Sequence, residues 1–260
     1  MRLALAACLA VIVGGHGMTD DHAVAQNRVV RADRLRVELV KAYPHDRGAF
    51  TQGLVLDRGK LYESTGLVGQ SSLREVELET GRVIRKVDVP APIFAEGLAL
   101  VGDRLFQLTW QNGRVLVYDR RTFAKQQEHP YRGEGWGLCS DGTNLVMSDG
   151  SAMLTVRRPT DFGVVRTLAV TMDGSALDQL NELECVEGAV YANVWTRDLI
   201  VRIDPATGRV TARIEAPNLL SVIERQGVDV LNGIAYDPSD QTFLITGKLW
   251  PKLFRVKFVK

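Results

Sequence analysis

The chain reads FTQGL at Phe50–Leu54, FAEGL at Phe94–Leu98, EGWGL at Glu134–Leu138, QLNEL at Gln179–Leu183 and VLNGI at Val230–Ile234. Aligned on the fourth residue of each phrase (Gly53, Gly97, Gly137, Glu182 and Gly233), the copies lie 44, 40, 45 and 51 residues apart. Short strands recurring at about 40–50 residues are the pattern of a β-propeller, in which small antiparallel sheets are set around an axis. The residue before each anchor differs in every copy: Gln52, Glu96, Trp136, Asn181 and Asn232. A repeat that keeps its scaffold and varies one polar or aromatic slot describes a ring of unlike groups facing one space.

Outward from the anchors, each repeat resolves into strand-like pieces. A Gly-, Asp- or Asn-rich turn follows the first piece. The second piece is LYEST from Leu61, LFQLTW from Leu105, LVMSDG from Leu145, VYANVW from Val190 and FLITGK from Phe243, with starts 44, 40, 45 and 53 apart. Two independent strands sharing one period make chance a poor explanation. The third piece alternates with period two, as in LREVEL from Leu73 and VLVYD from Val115. A fourth follows in the first four repeats, such as RVIRKVDV from Arg82 and FAKQQEH from Phe123. The fifth repeat stops after its third strand at Lys260, while a spare strand, LRVELVKAY at Leu35–Tyr43, precedes the first anchor. The reading is an all-β, five-bladed β-propeller with four antiparallel strands per blade, its N-terminal strand closing the last blade.

A single blade cannot bury its faces alone, so residues 35–260 form one domain. Hydrophobic content of 45% and charged content of 24% fit a soluble globular chain. A formal charge of +1 and the lack of a basic patch interleaved with aromatics argue against a nucleic-acid partner. Residues 1–25 differ in kind: Arg2, an apolar run Leu3–Val13, then a polar stretch ending Ala23-Val24-Ala25. That order reads as a secretory signal peptide cut after Ala25, and the run is too short to span a bilayer. Residues 26–34 are then an N-terminal extension beginning at Gln26, and the protein is periplasmic or secreted. Cys139 and Cys185 fall in first strands of neighbouring repeats. A disulfide is open to them in an oxidising compartment, but we read them as two buried free thiols. Neither has the spacing of a zinc site.

The second strands run antiparallel to the first, so their far ends return to the same mouth. They bring Gly66, Trp110, Gly150, Trp195 and Lys248 beside the anchor ring. The two sets offer one acid, one ammonium, three amides and three tryptophans. Glu96 lies in an otherwise apolar stretch, from Pro92 to Leu100. A carboxyl there is partly buried, and desolvation raises its pKa toward the range useful for proton transfer. Lys248 suits charge pairing with such an acid. Each residue also has a plainer reading: a tryptophan that packs, an Asn232 that forms a turn beside Gly233, a Lys248 that ends a strand.

These phrases, with YESTGLVGQSSLR (Tyr62–Arg74), QLTW, GEGWGL, MSDGS, LNELE, ANVW, LNGIAYD and ITGKLWP, closely resemble the plant and bacterial type of glutaminyl cyclase, over roughly residues 35–260. The resemblance implies a five-bladed propeller that converts the N-terminal glutamine of peptides to pyroglutamate and releases ammonia. It implies no metal, no cofactor and a monomer. It assigns catalysis to Glu96, with Lys248 and Asn181 beside it, and substrate contact to Phe50, Gln52, Phe94, Trp110, Trp136 and Trp195. Asn232 joins the substrate-binding set from the repeat geometry alone. Two other readings compete. A metal-dependent propeller hydrolase would use Glu96, Asn181 and Asn232 as oxygen ligands, but no ring Asp completes that set. A non-catalytic binding propeller would have little purpose for a lone buried acid. If the signal is cut after Ala25, Gln26 is itself a substrate type.

Overall fold

The computed structural model describes residues 31–260, so the signal segment and its cleavage point lie outside the described residues. A long strand, β1 (Asp33–Pro44), comes first. The first repeat folds as β2 (Thr51–Asp57), β3 (Lys60–Thr65), β4 (Ser72–Val76) and β5 (Val83–Asp88). The second gives β6 (Ala95–Val101), β7 (Arg104–Thr109), β8 (Arg114–Asp119) and β9 (Lys125–Pro130). The third gives β10 (Leu138–Ser140), β11 (Leu145–Ser148), β12 (Met153–Arg157) and β13 (Val164–Ala169). After a small ribbon, β14 (Thr171–Met172) and β15 (Ser175–Ala176), the fourth gives β16 (Leu180–Val186), β17 (Ala189–Val194), β18 (Leu199–Ile203) and β19 (Val210–Glu215). The last gives β20 (Leu231–Asp237), β21 (Thr242–Gly247) and β22 (Lys252–Val259). No helix occurs among the described residues, and none therefore crosses a membrane.

The first three repeats are separate four-stranded antiparallel sheets, each in sequence order. The rest form one eight-stranded sheet, ordered β16-β17-β18-β19-β1-β22-β21-β20. Within it β1 pairs antiparallel with β22 from Arg36 to Pro44, and parallel with β19 from Asp33 to Arg36. The spare N-terminal strand thus lies beside the last strand of the chain. The arrangement is all-β and propeller-like. First, second and third strands are largely buried, whereas β9 and β13 are mostly exposed, so each sheet runs from the interior outward.

Five apolar clusters fill the spaces between neighbouring sheets. Leu73, Leu98 and Leu105 join the first to the second, and Phe106, Leu138 and Leu145 the second to the third. Val146, Leu154 and Leu183 join the third to the fourth, and Ile200, Ile214 and Ile234 the fourth to the fifth. Leu54, Leu61 and Leu244 return from the fifth to the first. The first strands follow the same cycle, with β2 against β6, β6 against β10, β10 against β16, β16 against β20 and β20 against β2.

That approach explains the glycine anchors. A Cβ at Gly53 would lie 2.5 Å from the Leu98 nitrogen, one at Gly97 2.6 Å from the Leu138 nitrogen, and one at Gly137 2.0 Å from the Asn181 oxygen. Only glycine lets the backbones come so close. Hydrogen bonds between units follow the cycle too. Ser64 Oγ donates to the Glu96 carbonyl (2.5 Å), Gly97 N to the Trp136 carbonyl (2.8 Å) and Ser148 Oγ to the Asn181 carbonyl (2.7 Å). Gly233 N donates to Asn193 Oδ1 (2.9 Å), and Asn232 Nδ2 to the Thr51 carbonyl (3.0 Å). Where the fourth anchor is Glu182, its buried carboxyl accepts from Leu54 N (3.3 Å) and Ile234 N (2.7 Å). One side chain so ties three first strands together. Burial, and then the neighbouring Glu184, push its pKa well above the usual carboxylate range.

The cysteine reading needs correction. Cys139 on β10 and Cys185 on β16 are joined by a disulfide rather than standing as free thiols, with their Cα atoms 5.5 Å apart. The close passage of β10 over β16 at Gly137 brings the two positions within bonding reach.

Candidate active site

The variable slot owes its orientation to strand irregularity. Pairing of β2 with β3 shifts register between Thr51 and Gly53, leaving Gln52 as the extra residue. β6 shifts between Ala95 and Leu98, β16 between Leu180 and Leu183, and β20 between Leu231 and Ile234. Glu96, Asn181 and Asn232 all fall inside these bulges. A bulge bends its strand and re-aims a side chain that would otherwise follow the pleat. Trp136 instead precedes the short β10, where its N–H donates to the Ser148 carbonyl at 3.0 Å.

The second set sits just past the second strands: Trp110 after β7, Trp195 after β17 and Lys248 after β21. Its two glycines make room for rings. A Cβ at Gly66 would lie 2.3 Å from Phe94 Cε1, and one at Gly150 2.6 Å from Trp136 Cζ2. Together the sets enclose a cavity of about 320 Å³ lined by Phe50, Gln52, Phe94, Glu96, Trp110, Trp136, Asn181, Trp195 and Lys248, with Asp229 added. Phe94 lies edge-on to Phe50 (6.0 Å) and to Trp110 (5.7 Å) on one side. Trp136 and Trp195 form an edge-on pair (5.7 Å) on the other.

Asn232 is the one candidate that does not reach the wall. Its Nδ2 donates to the Thr51 carbonyl (3.0 Å) and to Gln52 Oε1 (3.2 Å). A carbonyl only accepts, so this amide is oriented by the backbone. Gln52 is oriented in turn and turns its Nε2 to Glu96 Oε1 at 3.0 Å. Asn232 therefore stands one step behind the residues that line the cavity.

Glu96 is 5% exposed. Burial pushes its carboxyl well above the usual carboxylate range; the Lys248 ammonium pulls it back and the Glu134 carboxylate adds to the rise. Lys248 is likewise 5% exposed. Burial lowers its pKa, with Glu96 and Asp229 opposing that. The expected Glu96–Lys248 pairing is through space, without a direct ion pair; Lys248 Nζ lies 4.9 Å from the Phe50 ring centre. Asn181 Oδ1 is buried with no hydrogen-bond partner. No group of three or more His, Cys, Asp or Glu side chains gathers among the described residues as a metal site would need.

The family model for glutamine cyclotransferase matches residues 7–258. The chain belongs to the glutamine cyclotransferase family. It is 42% identical over 230 residues to the glutaminyl-peptide cyclotransferase of Arabidopsis thaliana, covering 85% of this chain and 71% of that protein. It also superposes on the crystal structure of Myxococcus xanthus glutaminyl cyclase, with TM-score 0.83, 40% identity, and coverage of 88% of this chain and 99% of that one.

In this member of the family, two residues near the cavity escape the repeat logic. Glu134 accepts from Trp110 Nε1 (2.7 Å) and Trp136 Nε1 (3.0 Å) on one oxygen, and from Gln111 Nε2 (2.9 Å) on the other. Its place two residues before Trp136 in EGWGL was the available signal. Asp229 enters the lining from the loop before β20, where its N–H donates to the Lys248 carbonyl at 2.9 Å. That loop, from Glu215 to Leu231, is longer than the connectors that lead into the other first strands.

Proposed function

We propose that this chain is a glutaminyl-peptide cyclotransferase, converting the N-terminal glutamine of peptides and proteins to pyroglutamate with release of ammonia. One observation carries the reading: an acid, Glu96, buried in an aromatic-walled cavity, its pKa pushed by burial well above the usual carboxylate range. The volume is at the small end of ligand pockets (~300–1,000 Å³), which suits one residue of a peptide. Phe50, Phe94, Trp110, Trp136 and Trp195 pack the glutamine methylenes and fold the side chain back toward its own α-amine. Such tethering makes the attack intramolecular, so positioning supplies much of the rate. Dry walls also hold off hydrolysis to glutamate.

The α-amine attacks the side-chain amide carbon and the C–N bond to the leaving nitrogen breaks. The amine must lose a proton and the leaving nitrogen must gain one. Glu96 serves both needs, its carboxyl taking the first proton on one oxygen and returning one from the other. Gln52, donating to Oε1, fixes the orientation of that carboxyl. Lys248 donates to the developing oxyanion, and Asn181 accepts from the amide N–H of the substrate. The unpartnered Oδ1 of Asn181 supports that accepting role.

The cyclic packing of first strands and the five inter-sheet clusters support five blades, with β1 completing the last. The disulfide, with the apolar segment Leu3–Val13 and Ala23-Val24-Ala25, supports a periplasmic or secreted location. The test is ammonia release from a Gln-initiated dipeptide, with and without chelator, for wild type and Glu96→Gln. We expect chelator-insensitive release that falls about 100–10,000-fold in the variant. Near-wild-type turnover by folded Glu96→Gln would overturn the acid–base role.

A further inference from the structure

His45 directly follows β1 and lies outside the cavity lining, its side chain 2% exposed. Its Nδ1 is 2.8 Å from the Trp250 carbonyl oxygen and its Nε2 3.0 Å from Glu63 Oε1. A carbonyl can only accept, so Nδ1 carries a hydrogen. The same Glu63 oxygen accepts from Thr51 Oγ1 at 2.7 Å, and Arg74 stands 3.8 Å from the other. Glu63 is therefore ionised, and Nε2 carries a hydrogen as well. The charge count agrees. Arg74 also binds Asp46 at 2.8 Å, so two carboxylates face one guanidinium until His45 is protonated. Glu63 from β3, Arg74 from β4 and the adjacent Asp46 are the charged groups around the ring; Thr246 of β21 adds a hydroxyl 3.5 Å from Nδ1. Burial alone would lower the imidazole pKa, but Glu63 and the Trp250 carbonyl outweigh it and raise the pKa above the ordinary value.

Both arms of this cluster reach segments that line the cavity. Thr51 stands between Phe50 and Gln52. Trp250 is two residues after Lys248, in a turn where Leu249 has φ 63°. Leu249 N donates to the Ala49 carbonyl (2.7 Å) and His45 N to the Pro251 carbonyl (2.9 Å). We propose that His45, as an imidazolium, is a positioning residue for the cyclisation, locking the segment that carries Phe50 and Gln52 against the turn that carries Lys248. The inference rests on the cyclotransferase reading. Below about pH 6.5 the ring is charged in folded and unfolded chains alike. Because the folded value is raised, the lock is whole there and is lost as pH rises through that folded value.

Wild-type ammonia release comes first; its absence would undo the cyclotransferase reading and leave His45 aside. NMR of the ring nitrogens in the folded wild type then tests the charge. We expect both nitrogens of His45 protonated at neutral pH, and a neutral ring would overturn the inference. His45→Gln, checked for a cooperative melt, should lose kcat/KM by roughly tenfold or more. The Thr51→Val variant, which removes only the hydroxyl link, should lose less in the same direction. The ratio of wild-type to His45→Gln kcat should shrink across the pH interval in which NMR sees the ring lose its proton. A ratio constant across that interval, or a His45→Gln variant with lower melting temperature and unchanged kcat/KM, would reduce His45 to a structural part.

Discussion

Glu134 holds two walls of the cavity with one oxygen, since Trp110 and Trp136 both donate their indole N–H groups to Oε2. In Glu134→Gln one accepting oxygen remains for the two indoles, but it is uncharged, and the amide nitrogen turns toward Gln111. Hydrogen bonds to a charged group are worth about 1.5–3 kcal/mol, and this site is partly exposed, so the lower end applies. The walls hold glutamine in the ground and transition states alike, so the loss belongs mainly in KM, by about tenfold. Steady-state kinetics would show it, and an unchanged KM would dismiss the clamp. The same change removes a negative charge that raises the Glu96 pKa. The limb of the rate profile that follows Glu96 should therefore move to lower pH. At this scale the sequence was informative where a repeat exposed a variable slot, as at Glu96 and Gln52. It was silent where a role depends on which side chain reaches which. Asn232 occupies the same slot as Glu96, yet its amide is spent on Thr51 and Gln52. Glu134 sits outside the slot and nevertheless touches both tryptophans.

Strand positions were legible because two pieces of each repeat keep one period, and the pieces named from Leu61 and Val115 lie within β3 and β8. The bulges were not, because a one-residue mismatch between strands leaves no mark on periodicity. Nor was the crossing of β10 over β16, which pairs two cysteines that the sequence leaves 46 residues apart. β10 has only three residues, the shortest first strand of the five. Its ladder with β11 is correspondingly brief, from Leu138 to Ser140. The disulfide compensates by anchoring that strand to the next sheet. Closing a loop of this length stabilises by about 2–5 kcal/mol, which corresponds to roughly 5–20 °C in a domain of this size. Thermal melts of Cys139→Ser with Cys185→Ser, or of wild type under reductant, should show a fall within that span. An unchanged melt would mean that glycine contact and hydrogen bonding already hold β10 in place.

In the whole molecule, β1 links the last repeat to the fourth by pairing with both β22 and β19. β1 is mostly exposed and adds only Tyr43 to the buried core, so its worth lies in the ladder it makes rather than in the surface it covers. That ladder runs with β22 from Arg36 to Pro44 and touches β19 at its start. Without β1, β22 becomes an unpaired edge, and the last unit is left with the packing of Ile200, Ile214 and Ile234 and the hydrogen bonds to Asn193 and Glu182 as ties to the fourth. Strand edges left open are sites of fraying and of association between chains. The loss also reaches the cavity, because β1 delivers His45 to the turn that carries Lys248. A chain beginning at His45 keeps every cavity residue and lacks only β1. It should melt about 10 °C or more below a chain beginning at Arg31, lose concentration-independent melting as edges associate, and turn over glutaminyl dipeptide more slowly. Adding a synthetic Asp33–Pro44 peptide should restore part of both stability and rate, since the edge it pairs with is already formed. Equal melting temperatures for the two chains would show that the inter-sheet clusters close the molecule unaided, and β1 would then be an ornament of the last sheet rather than its closing strand.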